Sequence, residues 1–294
     1  MKALSAPLWE MAEFPQIAES LQDEKKSVLL TGCVDSQKLH MIYGLSGGFT
    51  YKIIVTYHEM KAKELYEDYK FYDKNVIIFP GKDLIFYQAD IHGKQLTAER
   101  MKCLKKILER QPFTLITTFD NFMIPQVPLD ILKKSVLKIT KQTTIDETEL
   151  AKKLIEMGYE KNYQVEIPGQ FSIRGGIIDI FDLTDENPFR IELWGDEPES
   201  IRTFDVLSQR SIEEKEAITV FPATEMILSD QQIKEGLKKI EQDSNKCREQ
   251  FRKEFKTEEG ARVTALYTDL KEQIEEFQAY ANVESYVNYF YEKS

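Results

Sequence analysis

The sequence predicts an α/β protein in which a parallel-sheet domain is interrupted by an inserted α+β domain (antiparallel sheet plus helix). Three observations carry this reading. The first 120 residues alternate short apolar runs with amphipathic helical stretches; from 163 to 206 the hydrophobic period is two; after 209 one apolar run precedes two long polar helices. A chain of 294 residues suits two domains better than one. The expected division is 1–120, 121–208 inserted, and 209–294 returning to the first domain.

In the first domain, SVLLTG (27–32), KIIVTY (52–57), NVIIFP (75–80) and FTLITTF (113–119) are nearly continuous in apolar residues. Strands of a parallel sheet covered on both faces have this composition. Helical patterns fill 36–45, 58–70 and 97–110. In the last, Met101, Leu104, Ile107 and Leu108 share a face, while Glu99, Arg100 and Lys105 are expected to face water. Right-handed crossovers then give a doubly wound sheet. NFMIPQVPLD, from residue 121, has two prolines and no period, and reads as a junction.

TTIDETELAKKLIEMGY reads as a helix. Thr144 and Glu147 fit a capping box, Leu150, Leu154 and Met157 share a face, and Gly158 stops it. The next stretch has turn signals at Pro168-Gly169 and Gly175-Gly176. Phe189, Ile191 and Leu193 then alternate with Arg190, Glu192 and Trp194, the pattern of an antiparallel sheet. AITVFP (217–222) resembles NVIIFP and is expected to rejoin the first sheet, ahead of helices near 229–255 and 258–282. Tyr286, Tyr289, Phe290 and Tyr291 crowd the last residues and are expected to need a partner surface, as in a fragment of a longer protein.

The net charge of −11 is concentrated after residue 120. No segment has the basic excess that neutralising phosphates requires, which argues against avid nucleic-acid binding. Cys33, Cys103 and Cys247 fit neither a disulfide framework nor a zinc site and point to a reducing cytosol. The apolar runs are of strand length, which argues against export or membrane insertion. His40, His58 and His92 have no metal-ligand spacing.

LLTGCVDSQKLH lies where a phosphate-binding loop would. Gly32 and Lys38 fall in the register G-x-x-x-x-G-K-[ST], but Gln37 replaces the second glycine and Leu39 the hydroxyl that holds Mg²⁺. Asp35 would repel phosphate and is expected to be the helix N-cap. The four positions Gly32, Gln37, Lys38 and Leu39 are not expected to bind nucleotide. The carboxylate pairs Asp179/Asp182 and Asp196/Glu197 read as solvated. Arg174, before a Gly-Gly turn, is either an interface anchor or a surface arginine paired with Asp179. Trp194 shares that ambiguity, with half-buried packing at a sheet edge expected ahead of a partner contact.

IPGQFSIRGGIIDIFDLTDENPFRIELWGDEPESIRTFDVLSQRSIEEKEAITVFPATE, residues 167–225, resembles the bacterial transcription-repair coupling factors (Mfd) in the N-terminal region they share with the excision-repair helicase UvrB. The segment 79–108 resembles the same region. Two departures separate the chain from UvrB: the incomplete phosphate loop, and an interval from Phe79 to Thr97 too short for UvrB's strand-separating hairpin. The resemblance implies a RecA-like first domain with a degenerate P-loop and an inserted domain that binds UvrA. In UvrB, arginines of a Y-E-R-N…F-R-V-R-G stretch contact UvrA. Laid on this chain they fall on Lys161, Ser172 and Arg174, so the expected UvrA-binding residues are Arg174, Lys161, and Phe171 and Phe181 as apolar companions.

The resemblance further implies a non-catalytic, cofactor-free docking platform within a cytoplasmic, ATP-dependent DNA translocase. ATP, Mg²⁺, RNA polymerase and double-stranded DNA would be handled by parts outside this sequence, and a C-terminal part would contact the UvrA surface. The alternative is an ATPase or helicase half-domain of a UvrB-type protein that completes a nucleotide or DNA site with other domains.

Overall fold

The computed structural model describes residues 2–81, 90–275 and 286–291. It divides into two units, Met1–Gly81 with Lys106–Met123, and Lys82–Lys105 with Ile124–Ser294. The first unit opens with α1 (Lys2–Trp9), α2 (Phe14–Ser20) and α3 (Asp35–Leu45). It continues through β1 (Tyr51–Thr56), α4 (Glu59–Tyr69) and β2 (Val76–Ile78). α5 (Asp90–Leu108) leads from the second unit into the first, where β3 (Phe113–Thr118) and α6 (Phe119–Met123) follow.

The first sheet is parallel, in the order β1-β3-β2. β3 is buried along its whole length, as its unbroken apolar and threonine run predicts for a central strand. Leu39, Tyr43, Ala62 and Tyr69 of α3 and α4 pack with Val76 and Ile116. SVLLTG is the exception to expectation: it forms no strand, and Leu29 is 87% exposed. Strand propensity there finds no neighbouring strand to hydrogen-bond, so the segment forms no ladder.

The second unit contains α7 (Leu129–Ser135), β4 (Leu137–Thr140), α8 (Glu147–Glu156) and β5 (Glu160–Lys161). Then come β6 (Gln170–Arg174), β7 (Ile177–Ile180), β8 (Phe189–Trp194), β9 (Glu197–Phe204), β10 (Ser211–Glu214) and β11 (Ala217–Val220). Six of these strands form one sheet, β10-β9-β8-β7-β6-β5, antiparallel except for the β5–β6 pair. The strand expected to rejoin the first sheet, β11, instead pairs antiparallel with β4. Its Ile218 and Val220 share a core with Ile139, Leu150, Leu154, Phe171, Ile178 and Ile191, so α8 and the β4–β11 ribbon cover one face of the six-stranded sheet.

Local details refine the sequence reading. The N-cap of α8 is Asp146, whose Oδ1 accepts from the backbone N–H groups of Thr148 and Glu149, in place of the expected Thr144 box. The carboxylate reaches two free amides at once, which the threonine two residues earlier does not. Gly158 ends α8 at φ +86°, and a Cβ there would lie 2.9 Å from Thr224 Cγ2. Arg100, expected in water, is buried: its Nε donates to both oxygens of Glu225 (2.8 and 3.0 Å) and its Nη2 to Gln126. A charge is stable inside only with such a partner.

α9 (Asp230–Lys253) and α10 (Thr257–Glu275) form a long hairpin, followed by α11 (Val287–Phe290). Ser229 and Gln232 make a full capping box at the start of α9. Phe290 and Tyr291 pack with Leu237, Ile240, Leu270 and Ile274, and Tyr286 and Tyr289 border the same cluster. The terminal aromatics therefore find their cover within this unit rather than on a partner.

Candidate docking face of the six-stranded sheet

Strand alternation sends Phe171, Ile178, Ile191 and Ile201 into the core and their neighbours to the opposite face. Cross-strand register aligns Ser172, Asp179, Arg190 and Arg202 in one row on that face. Arg174, Glu192 and Ser200 occupy the adjacent positions. The turn between β6 and β7 is made by Gly175 and Gly176, at φ +55° and +79°, the pair of left-handed residues a two-residue hairpin requires.

Asp179 has no exposed surface and anchors the face. Its Oδ1 accepts from Arg190 Nε at 2.7 Å and its Oδ2 from Arg190 Nη2 at 2.8 Å. Arg174 Nη2 adds a longer bond of 3.2 Å to Oδ2. The Arg190 guanidinium also stacks 4.1 Å above the Phe204 ring and donates to Gln209. Hydrogen bonding to Asp179 raises the Arg190 pKa further above its ordinary value. Next in the lattice, Arg202 holds Glu192 through both Nη atoms, Nη1 at 2.8 Å from Oε2, which keeps the Glu192 carboxyl below its usual range.

Arg174 is the least constrained of the three arginines. Its side chain is 33% exposed and lies 5.0 Å from the centre of the Tyr163 ring. Tyr163 itself is 82% exposed, and its carbonyl accepts from the buried Ser172 hydroxyl at 2.8 Å. The geometry matches the reading of Arg174 as a partly exposed surface arginine paired with Asp179. Lys161 is exposed on β5, in register with Phe171.

Two expected contact residues are corrected. Phe171 is fully buried in the main core, and Phe181 is buried with Val165 and Phe204. Neither ring is available to a partner, because strand parity and the β7 exit turn them inward. Within residues 137–226 the exposed aromatics are Tyr163 and Trp194, the latter 80% exposed rather than half-buried. Asp179 and Asp182, expected in solvent, are both enclosed. Asp182 accepts from Thr184 N and Oγ1 and from Phe221 N, and burial pushes its carboxyl pKa up. It ties the end of β7 to the segment after β11, a structural task.

In the segment compared with a phosphate loop, Gly32 is left-handed at φ +77° and Val34, not Asp35, is the N-cap of α3. Asp35 lies one residue inside the helix and pairs with Lys38 at 3.0 Å, which lowers its pKa. The lysine is thus engaged by a carboxylate one turn earlier in the same helix. Leu39 is buried against the first sheet. Among the described residues, no group of three His, Cys, Asp or Glu is placed to hold a metal ion, and no helix is long and apolar enough to cross a membrane.

Comparison with known proteins gives this architecture a relation. Residues 137–226 match the family model of the UvrB interaction domain. Their limits coincide with the start of β4 and the segment just beyond β11, so the matched stretch carries the sheet, its ribbon and α8. The chain is 31% identical over 288 residues to the transcription-repair-coupling factor of Bacillus subtilis, covering 97% of this chain and 24% of that protein. It is 34% identical over 190 residues to that of Borreliella burgdorferi, covering 63% of the chain and 17% of the relative. The Staphylococcus epidermidis relative is 28% identical over 279 residues. The chain thus spans about a quarter or less of the length of these curated relatives. Residues 137–226 match the UvrB interaction domain, and the chain that carries them is similar along most of its length to part of the transcription-repair-coupling factors.

Proposed function

We propose that this chain is a non-catalytic docking module that binds UvrA through the open face of its six-stranded sheet. One observation carries the reading: the stretch matching the UvrB interaction domain presents Arg174 one-third exposed, on a face where Asp179 is already held by both bonds from Arg190. Arginine, with its planar fork, is suited to grip a partner carboxylate, and Tyr163 beside it supplies apolar contact area. Asp179 keeps its two bonds to Arg190 when Arg174 turns outward, so releasing Arg174 leaves no bare buried charge.

In this reading the first unit is a RecA-like fold whose phosphate loop has been given up, and the recruited reaction is cytoplasmic excision repair. ATP-driven translocation on DNA and contact with RNA polymerase belong to other parts of the longer protein. Calorimetry of UvrA against this chain tests the proposal. Arg174→Ala is expected to weaken binding by about 2 kcal/mol, the scale of an interface anchor. Undiminished affinity in that variant removes the site from this face.

A further inference from the structure

The tip of the α9–α10 hairpin breaks three local rules at one place. The first concerns Phe255. α9 ends in a Schellman motif, with Lys256 N–H donating to Phe251 O at 2.9 Å and Phe255 N–H to Arg252 O at 3.2 Å. The motif requires a left-handed residue after the cap, a place glycine fills without steric cost. Here it is Phe255, at φ +58°. The second is exposure: Phe255 is 92% exposed. The third is charge. Arg248 and Arg252 stand one helical turn apart, a like-charge spacing that destabilises a helix, and neither forms an ion pair among the described residues.

These three features converge. α10 approaches closely at Gly260, where a Cβ would lie 3.7 Å from Arg248 Cγ. Between the helices runs a groove of about 200 Å³, lined by Arg248, Arg252, Lys256, Thr257, Ala261 and Thr264. Lys256 is held by Glu254 at 2.7 Å, so the two arginines are the groove's open charges. Positions that violate local preference without a compensating contact inside the molecule mark sites whose compensation lies outside it.

We infer that the hairpin tip is a second docking surface, separate from the sheet face, for an acidic protein segment bearing an aliphatic side chain. Two carboxylates one helical turn apart meet Arg248 and Arg252, and the aliphatic group covers Phe255. Charge complementarity selects this occupant over nucleic acid. The groove lining carries Arg248, Arg252 and Lys256 and no carboxylate, enough for a pair of acidic side chains and too few cations for a run of phosphates.

The test uses the whole chain, ¹⁵N-labelled, with three probes: a peptide alternating Glu-Glu with Leu, a polyglutamate peptide, and a short DNA duplex. The Leu-containing peptide is expected to shift the amide signals of residues 248–264 and to bind more tightly than polyglutamate or DNA. Phe255→Gly keeps the Schellman turn and relieves its strain, so Tm should rise while peptide affinity falls roughly tenfold or more. The double variant Arg248→Ala/Arg252→Ala should lose the peptide and keep UvrA. Absence of shifts in 248–264, full peptide affinity in Phe255→Gly, or tighter binding of DNA would each overturn the proposal.

Discussion

Arg190 grips both oxygens of the buried Asp179 carboxylate, at 2.7 and 2.8 Å, while Arg174 reaches only one of them at 3.2 Å. The pair Asp179–Arg190 is therefore the structural element of the sheet face, and Arg174 an addition to it. The two arginines should separate cleanly in experiment.

Removing Arg174 should cost little stability. Its bond to Asp179 is the longest of three and its side chain is partly in water, so Arg174→Ala should lower unfolding free energy by roughly 0–1 kcal/mol. Urea denaturation, read beside the UvrA titration, tests this. A large loss of stability would make Arg174 a folding residue and any binding defect indirect.

Asp179→Ala should behave oppositely. It strands the Arg190 guanidinium, which is mostly buried, and breaking such a pair from one side costs about 3–5 kcal/mol. The expected readout is a marked drop in the denaturant midpoint of the second unit. A midpoint near that of the unaltered chain would show that Arg190 finds another partner.

Glu192 gives the face an acid limit. Bonding to Arg202 holds its pKa in the folded state below the ordinary value of 4.5. Between the two values the unfolded chain binds more protons than the folded one, so stability falls as pH falls. The contribution is complete above about pH 5 and fades below 4.5 as the carboxylate protonates. Glu192→Gln should flatten that acid limb of a stability–pH curve and leave the shape near neutrality unaltered. An equally steep limb in the variant assigns the acid sensitivity to other carboxylates.

Gly158→Ala tests the end of α8. The added methyl would be forced into a left-handed backbone and within 2.9 Å of Thr224, so a loss of about 1–3 kcal/mol is expected. A thermal melt unchanged by the substitution would mean that the turn relaxes around it.

What the sequence disclosed follows the range over which each interaction acts. FTLITT announces a central strand because burial on both faces writes an unbroken apolar run. FRIELW announces its two faces by alternation, and both were legible. SVLLTG has the same strand composition yet no partner, since pairing is a property of neighbours distant in sequence. The fate of β11 depended on the same thing: its apolar pattern suits either sheet, and only the shared core with Ile139 selects β4.

The candidate site divides in the same way. Arg174 stood out beside its Gly-Gly turn and through family resemblance. The burial of Asp179 did not, because it depends on register bringing Arg190 opposite from another strand. Phe171 and Phe181 are buried against expectation, because an aromatic flanking an arginine looks alike in sequence whichever face it takes. Strand parity counted from Arg174 places Phe171 on the opposite face, a signal present in the sequence from the start.

The first and last strands of the stretch matching the UvrB interaction domain are hydrogen-bonded to each other, with Leu137 opposite Val220 and Thr140 opposite Ala217. Entry and exit of this stretch therefore lie side by side, as in a cassette. Such a segment can be spliced into a loop of an unrelated host, or exchanged for its counterpart from a relative, while the host perceives only a short gap between two adjacent chain ends.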